Sequence, residues 1–269
     1  MGLPTPVRAV ITGAGSGLGR AFALDLAGRG GRLLLADVDE AGLAETVALV
    51  EAAGGTALAA RCDVADEGAV NALAVQADAT LGAVDLLINN AGVAVGGGFD
   101  AVPLEDWRWV MGVNLWGVIH GCHAFVPRMV GQGRGFVLNV ASAAGLLAPP
   151  MLSPYNVTKA GVVALSETLH AELRGKGIRV TALCPTFFRT GLTRTARVSG
   201  SAPLMKMVDV LMDRSRIQAA GVARLGLDAV GRGELYALPM RDGRMFWRVK
   251  RALPARYPDL LALVRRFLD

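Results

Sequence analysis

Apolar runs and stretches of helical spacing alternate along this chain. VRAVIT (7–12), RLLLAD (32–37), TALAARCD (56–63), VDLLINN (84–90), GFVLNVA (135–141) and IRVTALC (178–184) read as strands. Most are apolar without regular polar alternation, the pattern of strands covered on both faces. Helical spacing fills about 17–28, 40–53, 67–81, 103–130 and 153–175. Strand–helix alternation with short links predicts an α/β fold: a Rossmann-type doubly wound parallel sheet, a single domain with helices on both faces. After Cys184 the regularity fades from 186 to about 216. A helix over about 216–230 and a strand ELYALP (234–239) restore it, and a basic segment, 240–269, ends the chain.

The link between the first strand and first helix is TGAGSGLG, Thr12 to Gly19. Glycines there permit positive φ and close backbone approach, and the following helix N-terminus offers N–H groups and partial positive charge to a pyrophosphate. The spacing Gly13-x-x-x-Gly17-x-Gly19 departs from the commoner G-x-G-x-x-G register. Asp37 ends the second strand, where a carboxylate can accept from both hydroxyls of an adenine ribose and repel a 2′-phosphate. No arginine directly follows the first glycine, so NAD is expected rather than NADP.

In SPYNVTKAGVVALSETLHAEL (153–173), Tyr155 and Lys159 stand four apart, on one face of a helix. An ammonium beside a phenol favours the phenolate and makes a proton donor and acceptor that works near neutrality.

Composition narrows the picture. The chain has 269 residues, of which 52% are hydrophobic and 19% charged, which describes a well-buried globular core. Cys62, Cys122 and Cys184 lie far apart without metal-ligand spacing, and His120, His123 and His170 form no helical ligand motif, so no metal is expected. No leader or membrane-spanning run is evident, and a cytoplasmic enzyme is the expectation. Eight basic residues stand against three acidic ones from 240 to 269, so this segment carries the chain's whole net charge of +5. A nucleic-acid reader would spread its basic residues along a surface, so no nucleic-acid partner is expected.

Taken together, TGAGSGLG (12–19), CDV (62–64), NNAG (89–92), Asn114, Ser142 and YNVTK (155–159) resemble the short-chain dehydrogenase/reductase family in its compact single-domain branch, over Val7 to roughly Pro239. Ser142 precedes Tyr155 by thirteen residues, the family's usual interval. The resemblance implies a dinucleotide-binding and catalytic domain over 1–239 with a substrate lid at about 186–216. It implies four catalytic residues: Tyr155 as acid/base, Lys159 lowering its pKa and holding the nicotinamide ribose, Ser142 on the substrate oxygen, and Asn114, on a helix interrupted near its middle, holding a relay water. Cofactor contacts are implied for Gly13, Ser16, Gly17, Leu18 and Gly19, for Asp37, Asp63 and Val64, for Asn90, Ala91 and Gly92, for Tyr155 and Lys159, and for Pro185, Phe188 and Thr190. Asn89 is expected to be structural. In PTFFRT (185–190) Thr186 replaces the family's glycine, so the loop is expected to be retuned.

The expected activity is NAD-dependent interconversion of a lipophilic secondary alcohol and its ketone. Phe187, Phe188, Leu192, Leu204, Met205, Met207 and Met212 would form an adaptable apolar cover. Arg189, Arg194 and Arg197 could instead meet an acid or a coenzyme A thioester, and a 3-oxoacyl reductase is the rival within the family. A non-catalytic dinucleotide sensor is the rival outside it. The basic tail, with Phe246, Trp247, Leu260, Leu261, Leu263, Val264, Phe267 and Leu268, could fold over the lid, form a subunit interface, or rest weakly on an anionic membrane surface. A homodimer or homotetramer packed through the helices at 103–130 and 153–175 is expected.

Overall fold

In this computed structural model, residues 2–193, 195–200 and 202–265 are described, with side-chain surroundings for all of these except 202–206 and 263–265. Arg194, Arg266, Phe267 and Leu268, and the side chains of Leu204, Met205, Leu263, Val264 and Arg265, lie outside that set.

Seven strands form one parallel sheet: β1 (Arg8–Thr12), β2 (Arg32–Asp37), β3 (Thr56–Arg61), β4 (Leu86–Asn89), β6 (Gly135–Val140), β7 (Ile178–Leu183) and β9 (Tyr236–Ala237). Their order is β3-β2-β1-β4-β6-β7-β9. The runs of β1, β2, β4, β6 and β7 have almost no polar side because both faces are covered, whereas edge strand β3 is largely exposed. Ile11, Leu33, Leu35, Ile88 and Leu138 pack on one face with α1 (Gly17–Ala27), α2 (Glu40–Ala52) and α9 (Ala219–Arg232). Val10, Leu34, Leu87, Val137 and Val180 pack on the other with α3 (Glu67–Leu81), α5 (Gly117–Gln132) and α7 (Ser153–Leu173). Each fully buried Leu or Ile contributes roughly 1.5–3 kcal/mol relative to exposure.

The strand order reverses between β1 and β4. Chains of this topology leave a crevice beyond the carboxyl ends of the strands at that switch. TGAGSGLG leaves β1 there, and NNAG leaves β4. A groove of about 1130 Å³ at the amino ends of the strands, lined by Arg8, Arg32, Arg134 and Arg174 among others, lies at the opposite edge. The body is thus balanced in total charge and still locally basic.

The helix expected over 103–130, interrupted near its middle at Asn114, is α4 (Leu104–Met111), a π-helical turn Gly112–Trp116, and α5. Three departures from the sequence reading matter for the site. The supposedly irregular lid contains β8 (Arg197–Ser199), which pairs in parallel with β5 (Val95–Gly97), and then α8 (Ala202–Asp213). Pairing so close needs glycine: a Cβ on Gly97, at φ 137°, would stand 2.4 Å from Ser199 O. A five-residue helix, α6 (Ala143–Leu147), follows β6, and the tail folds as α10 (Arg241–Ala252) and α11 (Tyr257–Arg265). The expected strand over 234–239 is reduced to two residues, although Ala182 N and Cys184 N still donate to Leu235 O and Ala237 O. Among the described residues no helix is long and apolar enough to cross a membrane.

Candidate active site

The glycine turn is held shut by its neighbours. Asn90 Nδ2 donates to Thr12 O and Gly13 O, both at 2.9 Å, and Thr12 Oγ1 accepts from Asn90 N (3.0 Å) and Ala91 N (3.1 Å). Gly13, at φ 65°, leaves no room for a side chain, since a Cβ would stand 2.7 Å from Ala91 Cα; one on Gly19 would stand 2.0 Å from Gly13 O. Asn90 and Thr12 thus shape the turn from below. The sequence reading assigned Asn90 to the cofactor and gave Thr12 no task. Asn89 donates to Asn139 Oδ1 at 2.9 Å, inside the core.

The opening of α1 fits a dinucleotide phosphate. Ser16 at its N-cap makes no side-chain capping bond, and its first turn carries no acid. By contrast α2 and α3 are capped by Asp39 and Asp66 and carry Glu40 and Glu67 in their first turns. Leu18 is buried in the core layer. Gly17, at φ 53°, faces Thr190 and Gly191: a Cβ there would stand 3.7 Å from Thr190 Cβ.

Asp37 accepts from Gly15 N at 2.8 Å and Asp39 N at 3.1 Å. Arg20 is tied to both Glu45 oxygens and Gly15 O, each at 2.7 Å, and Arg61, the register partner of Asp37 on β3, pairs with Glu40 at 3.4 Å. Asp63 is exposed and caps Ala65 N at 3.0 Å, while Val64 is buried with its carbonyl on His120 Nδ1 at 3.0 Å.

Tyr155, Lys159 and Ser142 meet at the carboxyl end of β6. The Lys159 amine is 5.8 Å from the centre of the Tyr155 ring and donates to Val140 O at 2.8 Å. Burial pushes this lysine down to about 8 from an ordinary value near 10.5, with the nearby Cys184 opposing the shift. The Tyr155 phenol moves the other way. Burial raises it above its ordinary value, and only a hydrogen bond with Ser142 works against that. The sequence reading expected Lys159 to lower this phenol; instead desolvation dominates, with the ammonium's hydrogen bond held by Val140 O.

Ser142 Oγ accepts from Ala144 N at 3.1 Å, and Ala143 N donates to Pro185 O at 2.9 Å, which ties the serine to the loop after β7. Cys184 is buried and pushed up to about 12, so it stays a thiol. Asn114, fully buried in the π-helical turn, clamps Val93 through both backbone atoms: its Oδ1 accepts from Val93 N and its Nδ2 donates to Val93 O, each at 2.8 Å. A Cβ on Gly92 would stand 3.3 Å from Asn114 Oδ1 and 3.6 Å from Lys159 Nζ. The turn therefore brings Asn114 to within one small molecule of the lysine.

Phe188 is 7% exposed and packs in the core layer with Val140 and Leu183; Met212 is likewise buried, whereas Phe187, Leu192 and Met207 remain half-buried. Arg189 pairs with Asp213, and Arg197 pairs with Asp106 at 2.8 Å while stacking 3.9 Å above the Trp109 ring. These two arginines hold the lid together rather than lining it as anion receptors. Thr186 keeps negative φ and its hydroxyl donates to Asp242 of α10 at 3.2 Å. The replaced glycine thus marks where the tail docks. Besides meeting the start of the lid at Thr186, that tail lies on α6: Lys250 Nζ donates to Leu146 O and Tyr257 Oη to Leu147 O. Trp247 stacks beside Tyr236, with 5.0 Å between ring centres. No cluster of metal-ligating side chains occurs among the described residues.

Residues 8–199 match the family model described as short chain dehydrogenase. The chain is 34% identical over 257 residues to SadH of Mycobacterium tuberculosis, which carries an oxidoreductase name, covering 94% of this chain and 93% of that protein. It is 38% identical over 190 residues to the 2-(R)-hydroxypropyl-CoM dehydrogenase of Xanthobacter autotrophicus, covering 69% of this chain and 76% of that protein. A short-chain dehydrogenase/reductase from Burkholderia phymatum, solved in complex with NAD, superposes with a TM-score of 0.87 at 38% identity, over 92% of this chain and 93% of that one.

Proposed function

Because the chain belongs to the short-chain dehydrogenase family, we propose that it is an NAD-dependent oxidoreductase interconverting a lipophilic secondary alcohol and its ketone. The observation that carries the proposal is the convergence of Tyr155, Ser142 and Lys159 beside a crevice whose bounding helix has an uncapped N-terminus.

Bound NAD supplies the hydride chemistry. The N–H groups opening α1 would hold its pyrophosphate, and Asp37 the adenine ribose hydroxyls. Asp63 and the Val64 backbone would meet the adenine, with Ala91, Gly92, Pro185 and Thr190 along the rest of the cleft. The choice of NAD over NADP rests on Asp37 and on Arg20. A 2′-phosphate would meet the carboxylate, and the Arg20 guanidinium is already held by Glu45, as Arg61 beside Asp37 is by Glu40. The NAD complex of the Burkholderia phymatum relative supports the same choice.

In the direction of reduction, Tyr155 Oη gives its proton to the ketone oxygen; in oxidation it takes the alcohol proton. Ser142 Oγ, fixed by Ala144 N, donates to the same oxygen and stabilises charge that develops there. Lys159 stays largely protonated at pH 7 and keeps a positive charge near the phenol. Asn114 Oδ1 and the lysine amine flank the space at Gly92, where a shared water would return the proton to solvent.

Phe187, Leu192 and Met207 support a lipophilic substrate. The acyl-thioester reading loses Arg189, paired with Asp213 within the lid, and Arg197, paired with Asp106 of α4. A homo-oligomer packed through α4–α5 and α7 belongs to the proposal, supported by the exposure of Leu104, Trp116 and Val157 on those helices. The test is a panel of lipophilic secondary alcohols and ketones with NAD(H) and NADP(H), followed by the absorbance of the reduced cofactor. Turnover with NAD is expected, and no turnover across the panel, with NADH bound, would favour a dinucleotide sensor.

A further inference from the structure

We propose that the C-terminal segment is a clamp that holds the Ser142 hydroxyl in place, with Lys250 and Tyr257 as its positioning residues. This rests on the reading of Ser142 as the group that meets the substrate oxygen.

Ser142 is the N-cap of α6, a helix of five residues. A helix so short does not persist by itself, because too few hydrogen bonds form to offset its nucleation cost. Its orphan carbonyls need partners from elsewhere. Its C-cap is Ala148 at φ 51°, a left-handed conformation that suits glycine and strains alanine. The local bonds, Ala144 N on Ser142 Oγ and Ala148 N on Ala144 O, do not reach the carbonyls of Leu146 and Leu147.

The partners come from the tail. Lys250 Nζ donates to Leu146 O at 2.6 Å, and Tyr257 Oη donates to Leu147 O at 2.9 Å. An ammonium at the carbonyl end also opposes the helix dipole favourably. The two clamp residues brace one another, the Lys250 amine lying 5.5 Å from the centre of the Tyr257 ring. Tyr257 is 6% exposed, so its hydroxyl is a buried contact. At the other end of α6, Gly243 of α10 packs between Thr186 and Ala143: a Cβ on it would stand 2.8 Å from Thr186 Cγ2 and 3.8 Å from Ala143 Cβ. The remaining side of α6 is fixed by α7, since a Cβ on Gly145 would stand 2.5 Å from the Lys159 carbonyl. Clamp, serine and lysine thus share one packed unit. Loosening α6 at Leu146 and Leu147 should let the serine hydroxyl drift while leaving the dinucleotide end of the crevice alone.

The test uses the full chain and the variants Lys250→Met, Lys250→Arg and Tyr257→Phe. Amide hydrogen exchange over 142–148 is followed without cofactor, NADH affinity is measured directly, and kinetics are run on an active alcohol from the panel. In Lys250→Met the Ala144 and Ala148 amides should exchange about tenfold faster, the effect of losing one charged hydrogen bond. Tyr257→Phe should act in the same direction and Lys250→Arg should recover most of the protection. NADH affinity should stay within about twofold while kcat falls about tenfold. Wild-type exchange over 142–148 in both Lys250→Met and Tyr257→Phe overturns the clamp. Faster exchange spread equally along α7 and β6 also overturns it, because that pattern is general destabilisation. Should the unaltered protein turn over no alcohol, the proposed activity fails separately, and the exchange data still decide whether the tail holds Ser142.

Discussion

The Asp37 carboxylate accepts a hydrogen bond from the backbone N–H of Gly15 at 2.8 Å. One side chain at the end of β2 thereby fixes the shape of the turn after β1 and places a negative charge at its rim. A Cβ on Gly15 would stand 3.0 Å from that same Oδ2, so the glycine is what allows the contact.

Cofactor choice should follow from this contact. Asp37→Ser removes the charge that a 2′-phosphate would meet and weakens the grip on ribose hydroxyls. The ratio of kcat/KM with NAD to that with NADP should fall about 10- to 100-fold, the range of one or two charge-assisted hydrogen bonds. Steady-state kinetics with both cofactors measure it, and an unchanged ratio would remove Asp37 from cofactor discrimination.

Tyr155→Phe removes the proton donor and preserves the ring. Turnover should drop by about 10³-fold or more, as expected for loss of a general acid/base. NADH binding, read by fluorescence titration, should change less than about threefold. Retained turnover would mean that another group moves the proton.

Lys159 makes a pH signature in stability. Its amine titrates at about 8 in the folded protein against an ordinary value of 10.5. Between those two pH values the unfolded chain holds the proton that the folded protein has released. Stability attributable to this residue therefore rises with pH across that window. The wild-type protein should gain about 3 kcal/mol relative to Lys159→Met between pH 8 and 10.5. Urea unfolding of both proteins without cofactor gives the difference, which cancels the opposing effect of the buried Cys122 thiol, whose raised value lowers stability above pH 9. Parallel curves would show that the amine is not desolvated.

The asparagine pair beneath the site should matter for stability alone. Asn139 accepts from Asn89 Nδ2 at 2.9 Å and donates to Ser166 Oγ at 3.0 Å, linking β4, β6 and α7 in a fully buried chain of polar groups. Asn139→Ala leaves Asn89 Nδ2 only the Cys122 sulfur at 3.5 Å and Ser166 Oγ only its own bond to Val162 O, at a cost of about 1–3 kcal/mol. A shift of the urea midpoint of corresponding size, with NADH affinity retained, is expected; loss of binding in the folded variant would give the pair a role in the site.

Most of the scaffold was legible because its causes are local. Runs such as RLLLAD and the cap at Asp66 with Glu67 behind it depend on neighbours in sequence, and the bounds of β2 and α3 came out as read. An interruption at Asn114 came with the family resemblance, but its π-helical form, α6 and the β5–β8 pair were not legible in that way. Each depends on a partner far along the chain: Asn114 on Val93, α6 on Lys250 and Tyr257, and β8 on a glycine about a hundred residues earlier.

The same division runs through the site. The order and spacing of TGAGSGLG, Ser142, Tyr155 and Lys159 carried the family and suggested the proposed chemistry, because that chemistry needs those residue types in that register. Tertiary packing alone decided that Asn90 braces the turn, that Arg20 is already paired, that Arg189 and Arg197 hold the lid, and that the basic tail lies on α6. It also set the direction of the Tyr155 shift. A proton's affinity depends on how much water the fold removes, and that depends on every element packed around the group rather than on its place in the chain.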